Sequence, residues 1–226
     1  MSDIIQIKVV LLGETAVGKT CIISRFISDT YITNHLSTMF GNYSSKTICI
    51  DNAKKAIKYD IWDTAGQERY RAMNKMLYSN ASVAILVFDI TNRRSFEEIR
   101  NYWYKEVLRN APKDIIIAIA ANKYDLYEDE LISKEELDKY AQSINVIYKQ
   151  TSALKNIGIN ELFEDIGKKI ISSEKYEQLI NNSYSKELIK LNDIDYSDNY
   201  SDISSQNTSK SNKSNKTKKK KNNCCW

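Results

Sequence analysis

The sequence predicts a mostly parallel α/β sheet of six strands with helices on both faces. Three observations carry this. Six apolar, β-branched runs of strand length recur between residues 4 and 152. They are nearly unbroken in hydrophobicity, as strands covered on both sides require. Helical patterns alternate with most of them, the signature of βαβ units joined by right-handed crossovers. The polar motifs follow the strands, at the carboxyl ends where open α/β sheets bind ligands.

The first run, "IIQIKVVLL", passes directly into "GETAVGKT", which turns from strand to helix. The second and third, "SSKTICI" and "KAIKYDIWD", have no helical pattern between them. "DNAKK" can turn, so this pair is expected as an antiparallel hairpin. After the fourth, "SVAILVFDI", the helix "SFEEIRNYWYKEVLRN" opens on a capping box of Ser95 and Glu98. The fifth, "DIIIAIAANK", leads to "SKEELDKYAQS", with a second box at Ser133 and Glu136. The sixth, "INVIYKQTS", precedes "INELFEDIGKKII", which is apolar at helical spacing. After Ile171 the pattern degrades, and from Asn192 the chain is Asp, Ser, Asn and Lys with few apolar residues. The expected organisation is a body over residues 1–171 and a largely disordered tail over 172–226.

A body of that length can bury a core without disulfides. The four cysteines have neither zinc-ligand spacing nor the arrangement of a disulfide framework. No run reaches the roughly 18 apolar residues of a membrane span. No cleavable leader follows the N-terminal strand, so a reduced, cytosolic setting is expected. The net charge of +4 is modest but unevenly placed. Seven lysines fall between Lys210 and Lys221 with no acid, and four aspartates between Asp193 and Asp202 with no base. Such blocks are solvated tail rather than fold.

Four motifs carry chemistry. "GETAVGKT" has P-loop spacing in its required strand-to-helix context. The backbone N–H groups of Gly13, Glu14, Thr15, Ala16, Val17 and Gly18, with the helix start at Lys19, Thr20 and Cys21, would cradle phosphates. Lys19 would reach the β- and γ-phosphates, and the Thr20 hydroxyl would bind Mg²⁺. "DTAGQE" ends the third strand. Asp63 can hold Mg²⁺ through water, Gly66 offers an N–H to the γ-phosphate, and Gln67 can orient an attacking water. "NKYD" ends the fifth strand. The Asp125 carboxylate can accept two hydrogen bonds from guanine, a donor pair that adenine lacks. Lys123 can lay its alkyl stem along the base, and Asn122 opens the motif. In "TSALK", Ser152 and Ala153 can offer N–H groups to the guanine O6, and a capping or turn role is equally open to them.

Taken together, residues 5–171 resemble the Ras-like small GTPases, and within them the Rab family. "WDTAGQERYR", "LVFDITNRRSF" and "ANKYDL" look like Rab signatures, and "GETAVGKT" is similar to the P-loops of endosomal Rabs. The resemblance implies a P-loop small G domain that binds GTP or GDP with Mg²⁺ and hydrolyses GTP slowly without an activating protein. It gives Thr38 the first-switch role, with its hydroxyl on Mg²⁺ beside Thr20 and Asp63. Thr38, Lys19 and Gln67 then form the catalytic set. It places Tyr31 near the guanine, Leu154 in the guanine loop and a second switch around residues 66–78. It implies effectors reading both switches, an exchange factor, an activating protein supplying an arginine in trans, a prenyl-chaperone, no nucleic-acid partner and a monomer.

The chain departs from the Rab pattern in several places. "TMFGNY" replaces Thr-Ile-Gly-Val-Asp-Phe, the effector patch becomes Tyr43, Trp62 and Leu77, and Leu154 stands where lysine is usual. Thr15 stands where faster relatives carry glycine or serine, which predicts slow intrinsic hydrolysis. The divergent first switch keeps a second reading open, a catalytically weak GTP-binding module acting as a membrane scaffold. Arg69 and Arg71 lie in the second switch, where the ordinary reading is a solvated helix face, and the ordinary reading of His35 is a solvated loop histidine. The basic run alone would also suit nuclear import or nucleic acid. Cys224 and Cys225 resemble the Rab double geranylgeranylation pattern, and Asn223 occupies the place where a C-a-a-X signal needs its cysteine. Two lipid chains give stable anchoring, so the resemblance implies the cytoplasmic face of an endosomal or other vesicular membrane.

Overall fold

The structure, a computed structural model, describes residues 3–31, 38, 41–50, 55–66 and 76–173. The chain divides into two units, Met1–Ser183 and Tyr184–Trp226, and every described residue belongs to the first. In order the elements are β1 (Asp3–Leu12), α1 (Lys19–Ser28), β2 (Tyr43–Ile50), β3 (Lys55–Trp62) and β4 (Val83–Asp89). A continuous helical stretch follows, made of α2 (Arg93–Glu98), a wider π turn (Ile99–Trp103) and α3 (Tyr104–Asn110). Then come β5 (Ile116–Asn122), a 3₁₀ segment (Tyr124–Asp129), α4 (Lys134–Ser143), β6 (Ile147–Gln150) and α5 (Ile159–Ile171).

The six strands form one sheet in the order β2-β3-β1-β4-β5-β6. The expected hairpin is present: β2 pairs antiparallel with β3 from Tyr43↔Trp62 to Ile50↔Lys55, and all other pairs are parallel. The packing of β1 explains why the end of the strand, residues 9–12, is wholly apolar. Ile5, Ile7, Val9 and Leu11 point into one core with Phe26 and Phe163, whose rings stack at 3.7 Å. Val10 and Leu12 point into the other core, with Phe96 and Trp103. Side chains alternate across a strand, so residues 9–12, covered on both faces, carry no polar residue, whereas Ile4 and Gln6 stand on a face that is exposed nearer the start of the strand.

Two local expectations are corrected. The helix after β4 starts at Arg93, and its cap is Asn92, whose side chain accepts the Ser95 N–H. Ser95 is therefore inside the first turn and buried, with its hydroxyl bonded to Asn92 O at 2.7 Å. Ser133 does cap α4, accepting the Glu136 N–H at 3.2 Å. The Glu136 carboxylate instead grips Arg93 through two hydrogen bonds of 2.6 and 2.7 Å. β6 is shorter than its apolar run because Asn145 takes a left-handed turn (φ 51°) before it.

All five parallel strands end at one edge of the sheet. β1 has β3 on one side and β4 on the other, so the chain leaves this central strand toward both flanks. That topology opens a crevice at the carboxyl end of β1. Among the described residues no helix is long and apolar enough to cross a membrane.

Candidate nucleotide site

The loop after β1 wraps around its own lysine. Lys19 is only 6% exposed. Its ammonium donates to Gly13 O at 2.9 Å and Glu14 O at 2.8 Å, using two of three donors and leaving a third for a phosphate. Burial pulls the Lys19 pKa down to about 8, opposed by the charges of Asp63 and Glu14, so the ammonium keeps its proton at neutral pH. Gly18 caps α1 at φ 98°, and a Cβ there would fall 2.2 Å from Asn122 Nδ2. No side chain caps this helix start, so its N–H groups carry the partial positive charge that an anion neutralises.

Three oxygens converge beside the lysine. Thr20 Oγ1 donates to Asp63 Oδ2 at 2.6 Å, lies 2.9 Å from Thr38 Oγ1, and Thr38 Oγ1 lies 3.3 Å from Asp63 Oδ2. The edge of an octahedron built on Mg²⁺–oxygen bonds is about 2.9 Å, so the spacing suits one face of that ion's shell. Asp63 Oδ1 is buried with no hydrogen-bond partner among the described residues. Burial raises the Asp63 pKa, while hydrogen bonds from Thr20 and Thr38 and the Lys19 charge oppose it. An unpaired buried carboxylate oxygen is costly and suits a cation. Among the described residues no group of three or more His, Cys, Asp or Glu is placed to hold a metal ion. A site with one carboxylate and two hydroxyls fits Mg²⁺, which takes much of its shell from phosphate and water. Gly66 closes this end: a Cβ there would lie 2.6 Å from Glu14 O, Thr15 N and Lys19 Nζ.

The base end is assembled from distant segments. Asn122 is buried, donates from Nδ2 to Val17 O at 2.8 Å and accepts from Thr151 Oγ1 at 3.2 Å. It ties the phosphate loop to the loop after β6. Lys123, in the left-handed region at φ 65°, pairs with Asp89 Oδ2 at 2.7 Å. Asp89 is itself fixed by Thr91, from its N–H at 2.9 Å and its hydroxyl at 2.8 Å. The Lys123 stem is thus strung from the end of β5 to the end of β4. Asp125 Oδ1 accepts from the Ser152 hydroxyl at 2.5 Å. This changes the role expected of Ser152. Its N–H is committed to Ile157 O at 3.0 Å, which leaves the N–H groups of Ala153 and Leu154 as candidates for a ring oxygen.

The structure therefore brings Gly13–Cys21, Thr38, Asp63 and Gly66 together at one end and Asn122, Lys123, Asp125 and Ser152–Leu154 at the other. Tyr31 is exposed, two residues beyond the α1 cap at Asp29. Of the effector patch, Tyr43 is exposed with its ring 5.5 Å from Trp62, and Trp62 and Leu77 are half-buried against the core. Gln67, Arg69, Arg71, His35, Phe40, Cys224, Cys225 and Trp226 lie outside the described residues. Motif reading missed Arg25, Asp89, Thr91 and Thr151. Asp89 and Thr91 sat inside the quoted "LVFDITNRRSF", and Thr151 opened "TSALK", but Arg25 carried no signal.

A phosphate loop, an oxygen-lined cation pocket and a base-end loop on one sheet edge define a P-loop nucleotide-binding domain. The family model described as Ras family matches residues 8–172. The chain is also 41% identical over 169 residues to the human Ras-related protein Rab-22A, a match covering 75% of this chain and 86% of that relative. The chain belongs to the Ras family, in its Rab branch: it is a small GTPase, a GTP-hydrolysing switch of vesicle traffic. Ras-family GTPases bind guanine nucleotide and Mg²⁺ and work with effectors, exchange factors and activating proteins. This favours the hydrolysing switch over a catalytically weak scaffold.

Proposed function

We propose that this chain binds GTP and GDP across the crevice just described, with phosphates on the loop of Gly13–Gly18 and guanine against Lys123 and Asp125. The observation that carries the reading is the convergence of the Thr20 and Thr38 hydroxyls on Asp63 Oδ2, beside a buried Asp63 Oδ1 with no hydrogen-bond partner among the described residues. Those three side chains would hold Mg²⁺, which when bound supplies positive charge to the phosphate oxygens. Lys19 neutralises charge on the β- and γ-phosphates and stays fixed by Gly13 O and Glu14 O, so it needs no reorganisation as charge develops. The Gly66 N–H binds the terminal phosphate, and Gln67 orients the attacking water. An activating protein supplies the missing arginine, since no arginine of the described residues is placed on the phosphate loop. The Asp125 carboxylate takes the guanine donors and rejects adenine.

The switch is read by effectors at Thr38, Tyr43, Trp62 and Leu77, and loss of the γ-phosphate releases the first switch at Thr38 and the second around residues 66–78. The body over residues 1–171 is tethered by the tail over 172–226. Lipidation of Cys224 and Cys225 anchors it to an endosomal membrane, and each lysine of the basic run adds about 1 kcal/mol at an anionic surface. The intact mass of protein from its native cell tests the anchor, and free thiols would exclude it.

The nucleotide reading is tested on the full chain by GDP release with and without a Mg²⁺ chelator. Wild type should release GDP at least about tenfold faster when Mg²⁺ is removed, and Asp63→Asn should release it fast in both conditions. Retained Mg²⁺ dependence in Asp63→Asn, with the fold intact by circular dichroism, would defeat the assignment of Asp63.

A further inference from the structure

Arg25 lies in the last turn of α1, the end of the helix away from the phosphate loop. A basic residue there has an ordinary explanation, since it complements the helix dipole and pairs with Asp29 four residues on. That explanation accounts for only part of its surroundings. The Arg25 side chain is 13% exposed, whereas Asp29 is 74% exposed. Its Nε donates to Ala153 O at 2.9 Å and one terminal nitrogen to Leu154 O at 3.3 Å, across 128 and 129 residues of sequence. The other terminal nitrogen binds Asp29 O at 2.7 Å and Asp29 Oδ1 at 3.0 Å. Asn156 closes the ring from the loop side, donating to Asp29 Oδ1 at 2.9 Å.

The consequence follows from peptide planarity. In a trans peptide the C=O and the next N–H point in opposite directions. Arg25 holds Leu154 O, so the N–H of the same unit, at Lys155, points away from Arg25, and it donates to Ser152 Oγ at 3.0 Å. That hydroxyl in turn donates to Asp125 Oδ1 at 2.5 Å. One peptide and one hydroxyl therefore connect the guanidinium to the carboxylate that selects the base. The neighbouring unit repeats the logic: with Ala153 O on Arg25, the Leu154 N–H is turned to the opposite side.

We propose that Arg25 is a positioning residue for base recognition. By gripping two carbonyls of the loop after β6, it sets the orientation of Asp125 and of the loop N–H groups, and ties them to the segment that leads from α1 toward Tyr31 and Thr38. This rests on the guanine reading of Asp125 given above.

The test compares release of GDP and inosine diphosphate, which lacks the 2-amino donor that Asp125 takes. On the full chain, Arg25→Gln should release GDP faster by about tenfold or more, as expected for loss of hydrogen bonds to a charged group. Inosine diphosphate keeps the N1–H and the O6 and lacks only the 2-amino group, so its release should also accelerate but by a smaller factor, and the wild-type preference for GDP shrinks. Asn156→Ala should shift the same ratio by a smaller factor, and Arg25→Lys, which keeps the charge but presents its donors from a single nitrogen, should recover part of it. Equal acceleration of both nucleotides would reduce Arg25 to a general stabilising role and overturn the proposal, as would no acceleration in a folded variant. If wild type itself shows no preference for GDP over ADP, it is the guanine reading that fails.

Discussion

The phosphate end and the base end of the crevice are built on opposite principles. At the phosphate end the loop is tied locally, with Lys19 bonding carbonyls five and six residues back over a glycine helix start, and only the oxygens of Thr38 and Asp63 join it from farther along the chain. At the base end the ties are long. Asn122 holds Val17 across 105 residues and Arg25 holds Ala153 across 128. Lys123 is pulled to the end of the neighbouring strand by Asp89. The phosphate loop is preorganised by its own shape, and the base end is laced together by side chains from α1, β4, β5 and the loop after β6. Binding at the first end should therefore fail when one residue is lost, and binding at the second should weaken in graded steps.

The largest effect is expected from Lys19→Met. It deletes a buried ammonium that both closes the loop on itself and faces the phosphates. Charge-assisted hydrogen bonds in a water-poor site are the strong ones. Affinity for GDP, measured by titration with a fluorescent analogue, should fall by about 100-fold or more. A loss smaller than about threefold would mean that the loop backbone alone organises this end.

Asp89→Asn comes next. The amide cannot hold the Lys123 ammonium as a carboxylate at 2.7 Å does, so the stem loses its anchor while Thr91 still fills the rest of the site. GDP release should accelerate by roughly tenfold, the scale of one hydrogen bond between charged groups. Lys123 lies along a base without reading its edge, so inosine diphosphate should accelerate by the same factor. That equality separates Asp89 from Arg25, whose loss should discriminate between the two nucleotides. Stopped-flow release of both nucleotides from both variants decides whether the base end has two separable supports or one.

The same contrast sets what the sequence made legible. The sheet, the antiparallel pair, the helix alternation and the phosphate loop were all readable, because each is a matter of period or spacing within a short window. The P-loop glycines announce their backbone geometry directly. The base end was legible only as far as its tetrapeptide. Asn122 and Asp125 could be named, but nothing in spacing shows that Asn122 turns back to Val17. Nor does it show that the Ser152 N–H is taken by Ile157. Ser95 illustrates the same limit on a smaller scale. Its capping pattern was correct as local chemistry, but the Asn92 side chain caps the helix three residues earlier, and burial against β4 takes the serine hydroxyl. Arg25 looked like any basic residue near a helix end, and its role exists only once residue 153 is brought beside it.

The smallest effect is expected away from both ends, on the β2–β3 ribbon. Tyr43 sits opposite Trp62 in the antiparallel register, and its hydroxyl donates to Asp60 Oδ1 at 2.8 Å. Asp60 also accepts from Gln6 and has Lys58 at 3.8 Å. Tyr43→Phe removes one donor from a carboxylate that keeps others, and it leaves the exposed ring beside Trp62. The cost should stay below about 1 kcal/mol, a drop in melting temperature of no more than about 2–4 °C. GDP release should be unchanged, because no hydrogen bond of this network reaches the phosphate loop or the loop after β6. A release rate altered more than about twofold, beyond what such a remote bond carries, would show that the ribbon is coupled to the crevice. The natural route for that coupling is the bond from Asp63 N–H to Asn42 O at 2.8 Å, which joins the start of β2 to the residue that would hold Mg²⁺. The ribbon would then count as a third part of the site rather than as the surface beside it.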